Sequence, residues 1–174
     1  MRPLVSILIT AYNAEPWIGE TLDSALGQTY SEIEVLVVDD GSTDRTLHVA
    51  RSYDDPRLSV LSQPNAGACA ARNRAIAASE GQLVQFLDAD DLLSPGKIER
   101  QVERLADAPS ATVASGPWVR FREAPPPPDA RPHRPDWRDY DPASDWLVEA
   151  WTHGGMFASF AWPTPRALVE RAGP

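Results

Sequence analysis

Cysteine is nearly missing from this chain of 174 residues. Cys69 stands alone, so no disulfide can form within the chain, and a reducing compartment suits it. Its place in the Ala-rich stretch Ala68 to Ser79 predicts a small packed residue. Basic charge is scarce too. Sixteen Lys and Arg face 25 Asp and Glu, for a net charge of -9, and the sequence pI is about 4.7. No basic stripe runs along the chain, which excludes a nucleic-acid partner; an anionic ligand would need local help from Arg or a metal. Long apolar runs are absent as well. Nothing approaches ~18 apolar residues, and no charged leader precedes an apolar core and cleavage site. The expectation is a chain with neither signal peptide nor membrane span, cytoplasmic or peripheral to the membrane. There is no internal repeat.

What is present is enough apolar material for a core, 43% of residues, and 1–174 reads as one domain. Leu4 to Thr10 (LVSILIT) is a first buried strand, with Ala11, Tyr12 and Asn13 at its carboxyl end. Glu15 to Gln28 turns helical, with Trp17, Ile18, Leu22, Ala25 and Leu26 on one face. Ile33 to Val38 is a second strand, ending in Asp39 and Asp40 before Gly41 and Ser42. Ser42 or Thr43 is expected to cap a helix to about Tyr53, with Leu47 and Ala50 inward. Leu58 to Leu61 is a third strand, and Gln63 to Gly67 a turn into the helix Ala68 to Ser79, closed by Gly81. The alternation predicts α/β architecture with a mostly parallel sheet covered on both faces. In such sheets ligands bind beyond the carboxyl ends of the strands, where Tyr12, Asp39, Asp40, Asp88 and Asp90 all fall.

The fourth strand, within Gln82 to Pro95 (QLVQFLDADDLLSP), ends in Asp88, Asp90 and Asp91. On an extended backbone Asp88 and Asp90 point the same way, with the small Ala89 between them. Two such carboxylates suit Mg²⁺ or Mn²⁺, whose other ligands would be water and phosphate oxygens. A solvated acidic turn leading to a helix capped by Ser94 and Pro95 is an equal reading of the same residues.

That helix should run to about Asp107, with Ile98, Val102 and Leu105 on one stripe, and Ala111 to Phe121 reads as a further strand. Residues 123–138 are Pro-rich, with four consecutive prolines, Pro125 to Pro128, and form an exposed connection. Helices are expected from Asp141 and Pro142 to about Trp151, and from Thr164 and Pro165 to Gly173. Five of the six tryptophans lie in this second half (Trp118, Trp137, Trp146, Trp151 and Trp162). They fit core packing, or a groove for a carbohydrate or lipid acceptor.

The motifs VSILITAYN (5–13), VLVVDDGSTD (35–44), NAGACAARNRAIAASEGQLVQFLDADD (65–91) and SPGKIE (94–99) together resemble glycosyltransferase family 2. The resemblance is close over about the first 105 residues. It implies the GT-A fold, a Rossmann-like three-layer α/β/α sandwich, and inverting, nucleotide-sugar-dependent transfer. It divides the chain into a nucleotide-sugar-binding half, 1–107, and the start of an acceptor-side half, 108–174. Carried over by motif, it puts the donor against Thr10, Ala11, Tyr12 and Asn13, against Asp39 and Asp40, against Asn65, Gly67 and Arg72, and against Asp88, Ala89 and Asp90. Asp40, with Asp39 beside it, would accept the uracil imide N–H, which makes a UDP-sugar the expected donor. Arg72 would reach the diphosphate or hold the acidic cluster. Asp88 and Asp90 match the family's Asp-x-Asp and would hold the divalent cation, Mn²⁺ or Mg²⁺. The acceptor, a glycan, a lipid-linked sugar or another molecule, is not specified by these motifs.

Inverting transfer also needs a general base. The resemblance places it after a Gly-Gly-Phe-Asp-like turn, which Ala172, Gly173 and Pro174 begin to match, so the base is expected beyond Pro174. His153, Asp136, Asp139, Asp141 and Asp145 have no motif to support them in that role. A chain of this extent is then expected to bind donor and transfer slowly. The competing readings are a non-catalytic nucleotide-sugar-binding module and a nucleotidyltransferase. The latter would carry a Gly- and Lys- or Arg-rich triphosphate loop where this chain has AYNAEPW.

Overall fold

A computed structural model describes residues 2–125, 138–152 and 158–173. Much of the Pro-rich connection, Asp136, Trp137 and His153 fall outside the described residues.

Alternating burial along the strands explains the layering. In β1 (Val5–Ala11) Val5, Ile7, Ile9 and Ala11 face one side and Leu8 the other, and all are buried. β2 (Ile33–Asp39) alternates likewise, Ile33, Val35 and Val37 against Leu36 and Val38. The odd positions meet helices α1 (Ile18–Leu26), α2 (Thr46–Arg51) and α4 (Lys97–Leu105) through Ile18, Leu22, Ala25, Ala50, Ile98 and Val102. The even positions meet α3 (Ala68–Ala78) through Ala71 and Ala75, and α6 (Arg166–Ala172) through Val169. One apolar core therefore lies on each face of the sheet, which is the expected three-layer arrangement.

The sheet order is β3-β2-β1-β4-β5, with β3 at Leu58–Ser62, β4 at Leu83–Asp88 and β5 at Thr164–Pro165. β1 to β4 are parallel, and β5 joins antiparallel through Leu83 with Pro165 and Val84 with Thr164. β1 is central, so Ala11 pairs with Asp39 on one side and Thr10 with Asp88 on the other. Sequence order alone could not supply that neighbourhood.

Several boundaries depart from expectation. α1 starts at Ile18, not Glu15, and Trp17 is exposed at its N-cap instead of packing inward. α2 starts at Thr46, because Asp44, not Ser42 or Thr43, accepts the Thr46 N–H and Oγ1–H. α4 begins at Lys97 behind a left-handed Gly96, so Ser94 and Pro95 form a turn before it and do not cap it. Cys69 is exposed on α3, since the buried stripe of that helix is carried by Ala71 and Ala75. Residues 111–121 form no strand. The edge beside β4 is taken by Thr164–Pro165, residues expected to open a helix, and that helix starts only at Arg166.

What fixes the second half to the sheet is a buried set of carboxamides. Gln85, fully buried on β4, donates through Nε2 to the Phe160 carbonyl at 3.0 Å. Gln101 on α4 donates to the carbonyls of Ala114 and Ala161 at 3.1 and 2.8 Å. Lys97 Nζ bridges the two, donating to Gln85 Oε1 and Gln101 Oε1 at 2.5 and 2.6 Å. Burial pushes its ammonium down to about 7. Trp118 packs edge-on against Phe160, and Trp146 against Trp162, so these four aromatic rings serve internal packing. Helix α5 (Ala143–Thr152) buries Ala150 and exposes Trp151.

Gln101→Leu keeps the volume and strands two buried carbonyls, so it should cost about 1–3 kcal/mol in urea unfolding. Proteolysis of the variant should open residues 111–121 and 158–173 before residues 5–105. Uniform protection of both regions would mean that the carboxamides do not tie the halves together.

Candidate active site

Three parallel strands end side by side at one edge, and the loops that follow them are locked together. Asn13, in the left-handed region at φ 51°, accepts through Oδ1 from the Thr43 N–H at 2.8 Å, while its own N–H donates to Ser42 Oγ at 3.0 Å. Asn tolerates that conformation better than most residues. Asp44 completes the clasp, accepting from the Glu15 N–H as well as from Thr46. Burial opposes ionisation of Asp44, but its hydrogen bonds from Thr46 and the Glu15 backbone outweigh that and hold it below the ordinary carboxylate value. Tyr12 is left projecting, 53% exposed, at the end of β1.

Asp39 and Asp40 are both buried but engaged differently. The Asp40 carboxylate accepts from Gln63 Nε2 at 2.7 Å, the Ala66 N–H at 2.9 Å and the Gly67 N–H at 2.8 Å. Burial raises its proton affinity, yet these donors win and hold its carboxyl below the usual range. Asp40 thus fixes the loop containing Asn65 and Gly67 against β2. Gly41, at φ 74°, makes the approach possible, because a Cβ there would meet the Asn65 nitrogen at 2.6 Å. Asp39, only 1% exposed, accepts from Ser62 Oγ through Oδ2 at 3.3 Å, and its Oδ1 has no hydrogen-bond partner among the described residues. A buried acceptor without a donor is costly unless a ligand supplies one. Gln63 is the residue that sequence reasoning missed here; its place in a QPNAG turn gave no sign that it grips Asp40.

Across β1, Arg72 on α3 donates through Nη2 to Asp88 Oδ1 at 2.8 Å. Arg74 turns instead to the Ser62 carbonyl at the end of β3. Of the two arginines, Arg72 is the one at the acidic edge. β4 ends at Asp88, and Ala89 and Asp90 form a turn closed by Asp91 N–H to the Asp88 carbonyl at 3.1 Å. Asp90 lies past the strand, so pleat alternation, the reason given for aiming Asp88 and Asp90 alike, does not set its direction. Ala89 is buried, Asp88 half-buried and Asp90 exposed. Burial, with repulsion from Asp90 and then Asp88, pushes the Asp91 carboxyl up to about 6.

The donor set fits a hard divalent cation in one particular way. Among the described residues no group of three or more His, Cys, Asp or Glu side chains is placed to hold a metal by itself. Asp88 at the strand end and Asp90 in the turn after it are the carboxylates that would hold Mg²⁺ or Mn²⁺, with phosphate oxygens and water filling the remaining coordination, the usual arrangement for nucleotide ligands.

The model of the family described as glycosyl transferase family 2 matches residues 6–162. The chain belongs to this family. Among curated proteins it is similar to the uncharacterized glycosyltransferase EpsJ of Bacillus subtilis, 44% identical over 105 residues, covering 59% of this chain and 30% of that protein. A solved mannosyltransferase from Pyrobaculum calidifontis, in complex with GDP-Man and Mn²⁺, aligns at TM-score 0.71 and 27% identity over 99% of this chain and 47% of its own. S. aureus TarS 1-349, in complex with UDP-GlcNAc, aligns at TM-score 0.57 and 33% identity, covering 63% of this chain and 33% of its own. The family 2 fold here is the GT-A α/β fold, and the chain spans well under two thirds of the length of these relatives. Among the described residues no helix is long and apolar enough to cross a membrane.

Asp40→Asn in this family 2 chain places an amide N–H₂ against donors, and should cost roughly 1.5–3 kcal/mol at pH 7. Because the folded carboxyl lies below its unfolded value, the stabilisation is complete above about pH 4 and lost as pH falls through the folded value. Urea unfolding at pH 7 and at pH 3 should show the gap between the two proteins closing at the lower pH. A gap independent of pH would remove the charged hydrogen bonds as its cause.

Proposed function

We propose that this chain binds a nucleoside diphosphate sugar, with a UDP-sugar as the donor, and serves transfer of the sugar with inversion. The observation that carries the reading is Asp39 Oδ1, a buried acceptor without a donor at the end of β2, one strand from the Arg72–Asp88 pair. An imide N–H of uracil supplies the missing donor, whereas the ring nitrogen of cytosine offers only a lone pair. The resemblance gave Asp40 the first claim on the base. In this reading Asp40, held by its three hydrogen bonds, anchors the 63–67 loop, and Asp39 beside it accepts from the base.

In this reading Tyr12 offers an exposed aromatic face to the base, and Thr10, Ala11 and Asn13 form the floor and rim beside it. Arg72, already at the acidic edge, turns to the diphosphate. Asp88 and Asp90 would hold the divalent cation, which when bound offsets charge on the departing diphosphate. The bond from the anomeric carbon to the phosphate oxygen breaks as an acceptor hydroxyl oxygen bonds to that carbon from the opposite side. The hydroxyl proton passes to a base, and the electron pair leaves on the nucleoside diphosphate. In the same reading residues 1–107 carry the donor side and 108–174 lie on the acceptor side, where Trp151 is exposed. The likeness to proteins solved with UDP-GlcNAc and with GDP-Man and Mn²⁺ supports the ligand class.

Calorimetric titration of UDP, GDP and CDP, with and without Mn²⁺, tests the reading. UDP should bind in Mn²⁺ and weaken in chelator, and CDP should bind poorly. Asp90→Asn should weaken Mn²⁺-assisted binding much more than Asp91→Asn. Asp39→Leu should cut UDP affinity ~10-fold or more while leaving urea stability unchanged or raised, since it removes an unpaired buried acceptor. Binding untouched by chelator removes the cation, equal effects at Asp90 and Asp91 mean the ligands are misassigned, and preference for GDP replaces uracil by guanine.

A further inference from the structure

Helix α1 and the turn carrying Asp88 and Asp90 are joined by buried polar contacts that donor binding does not itself require. Thr21, Ser24 and Gln28 recur at helical steps and look toward the segment after β4. Thr21 is fully buried, and its Oγ1 donates to the Ala89 carbonyl at 2.8 Å. Ser24 Oγ accepts from the Leu93 N–H at 3.1 Å and donates to the Thr21 carbonyl at 2.8 Å. Gln28, 7% exposed, donates through Nε2 to the Ser94 carbonyl at 3.1 Å and accepts through Oε1 from the Ile98 N–H at 3.1 Å.

The neighbouring inward positions of α1 are Ile18, Leu22 and Ala25, so an apolar side chain would fit the layer at Thr21 without any need for a hydroxyl. Burying one costs free energy unless it is bonded, and here the bond falls on the peptide between Ala89 and Asp90. The sheet ladder has stopped at Asp88, so the strand no longer dictates the direction of that peptide. Its orientation sets where the Asp90 carboxylate goes.

We propose that Thr21 is a positioning residue for Asp90, and that Ser24 and Gln28 fasten the following segment so that the turn holds its shape when a cation binds. The inference rests on the reading that Asp88 and Asp90 hold that cation. Cations with near-octahedral demands tolerate little play in their ligands, and partners that orient metal ligands typically matter ~10- to 100-fold in metal affinity.

Thr21→Val keeps the side chain's shape and deletes the donor; Thr21→Ser keeps the donor. Mn²⁺ affinity, read by electron paramagnetic resonance at saturating UDP, should fall about 10-fold in Thr21→Val and stay within about twofold of the unaltered protein in Thr21→Ser. Metal-free UDP affinity should be the same in all three, while Thr21→Val, which strands the buried Ala89 carbonyl, should melt below the unaltered protein. Ser24→Ala, which strands the Leu93 N–H, should lower Mn²⁺ affinity in the same direction and stands in should Thr21→Val not fold. Unchanged Mn²⁺ affinity in the folded variants overturns the proposal. So does an equal loss in Thr21→Val and Thr21→Ser, which would trace the effect to packing. If the unaltered protein shows no UDP-linked Mn²⁺ signal, the donor reading itself fails, and the positioning role with it.

Discussion

The polar edge depends on one arrangement, the parallel pairing of β1 with β2 on one side and β4 on the other. Parallel strands deliver their carboxyl ends to the same edge, and the register aligns Ala11 with Asp39 and Thr10 with Asp88. Residues nearly fifty positions apart thereby become next-but-one neighbours across a small pair, Thr10 and Ala11. The apolar alternation of β1 and β2 maintains this register, because a slip by one residue would turn Ile7 and Ile9 toward the wrong core. Fold and site are therefore set by the same side-chain pattern.

The first hundred residues were largely legible because they follow two clear periods. Buried runs such as IEVLVV end in polar turns, and the α1 pattern returns every three or four residues, so strands and helices fell within a few positions of their true bounds. Which acid does what was less legible. Asp39 and Asp40 are adjacent and chemically alike, yet one meets three donors and the other leaves an oxygen bare. That difference arises from a loop more than twenty residues downstream. Residues 111–121 misled for a related reason. Their composition suits a strand, but a strand needs a free edge, and Thr164–Pro165 occupy the one beside β4. The Trp17 error is one of helix phase, since the helix starts one residue after it.

The polar groups buried under the sheet divide into two sets with opposite tasks. Gln85, Gln101 and Lys97 satisfy one another and several carbonyls of the second half, so they specify how that half docks. A fully connected network of this kind is expensive to interrupt at any member. Asp39 belongs to the other set. On the proposed reading its Oδ1, without a hydrogen-bond partner among the described residues, has value only when a donor arrives, as expected where stability is given up for recognition.

Charge decides how such a site could accept a diphosphate at all. The chain carries a net charge of -9, and Asp39, Asp40, Asp88, Asp90 and Asp91 cluster about the ends of β2 and β4. The strain is visible at Asp91, where burial and then its neighbours raise the carboxyl to about 6. Arg72 offers positive charge at this edge, but it is paired with Asp88. On the proposed reading, a diphosphate entering alone would compete with Asp88 for one guanidinium while facing several carboxylates, an arrangement Coulomb's law disfavours at any reasonable dielectric. A divalent cation on Asp88 and Asp90 changes that sum. On that reading it would satisfy the carboxylates and free Arg72 for the phosphates, so the acidity of the edge would tie donor binding to the metal.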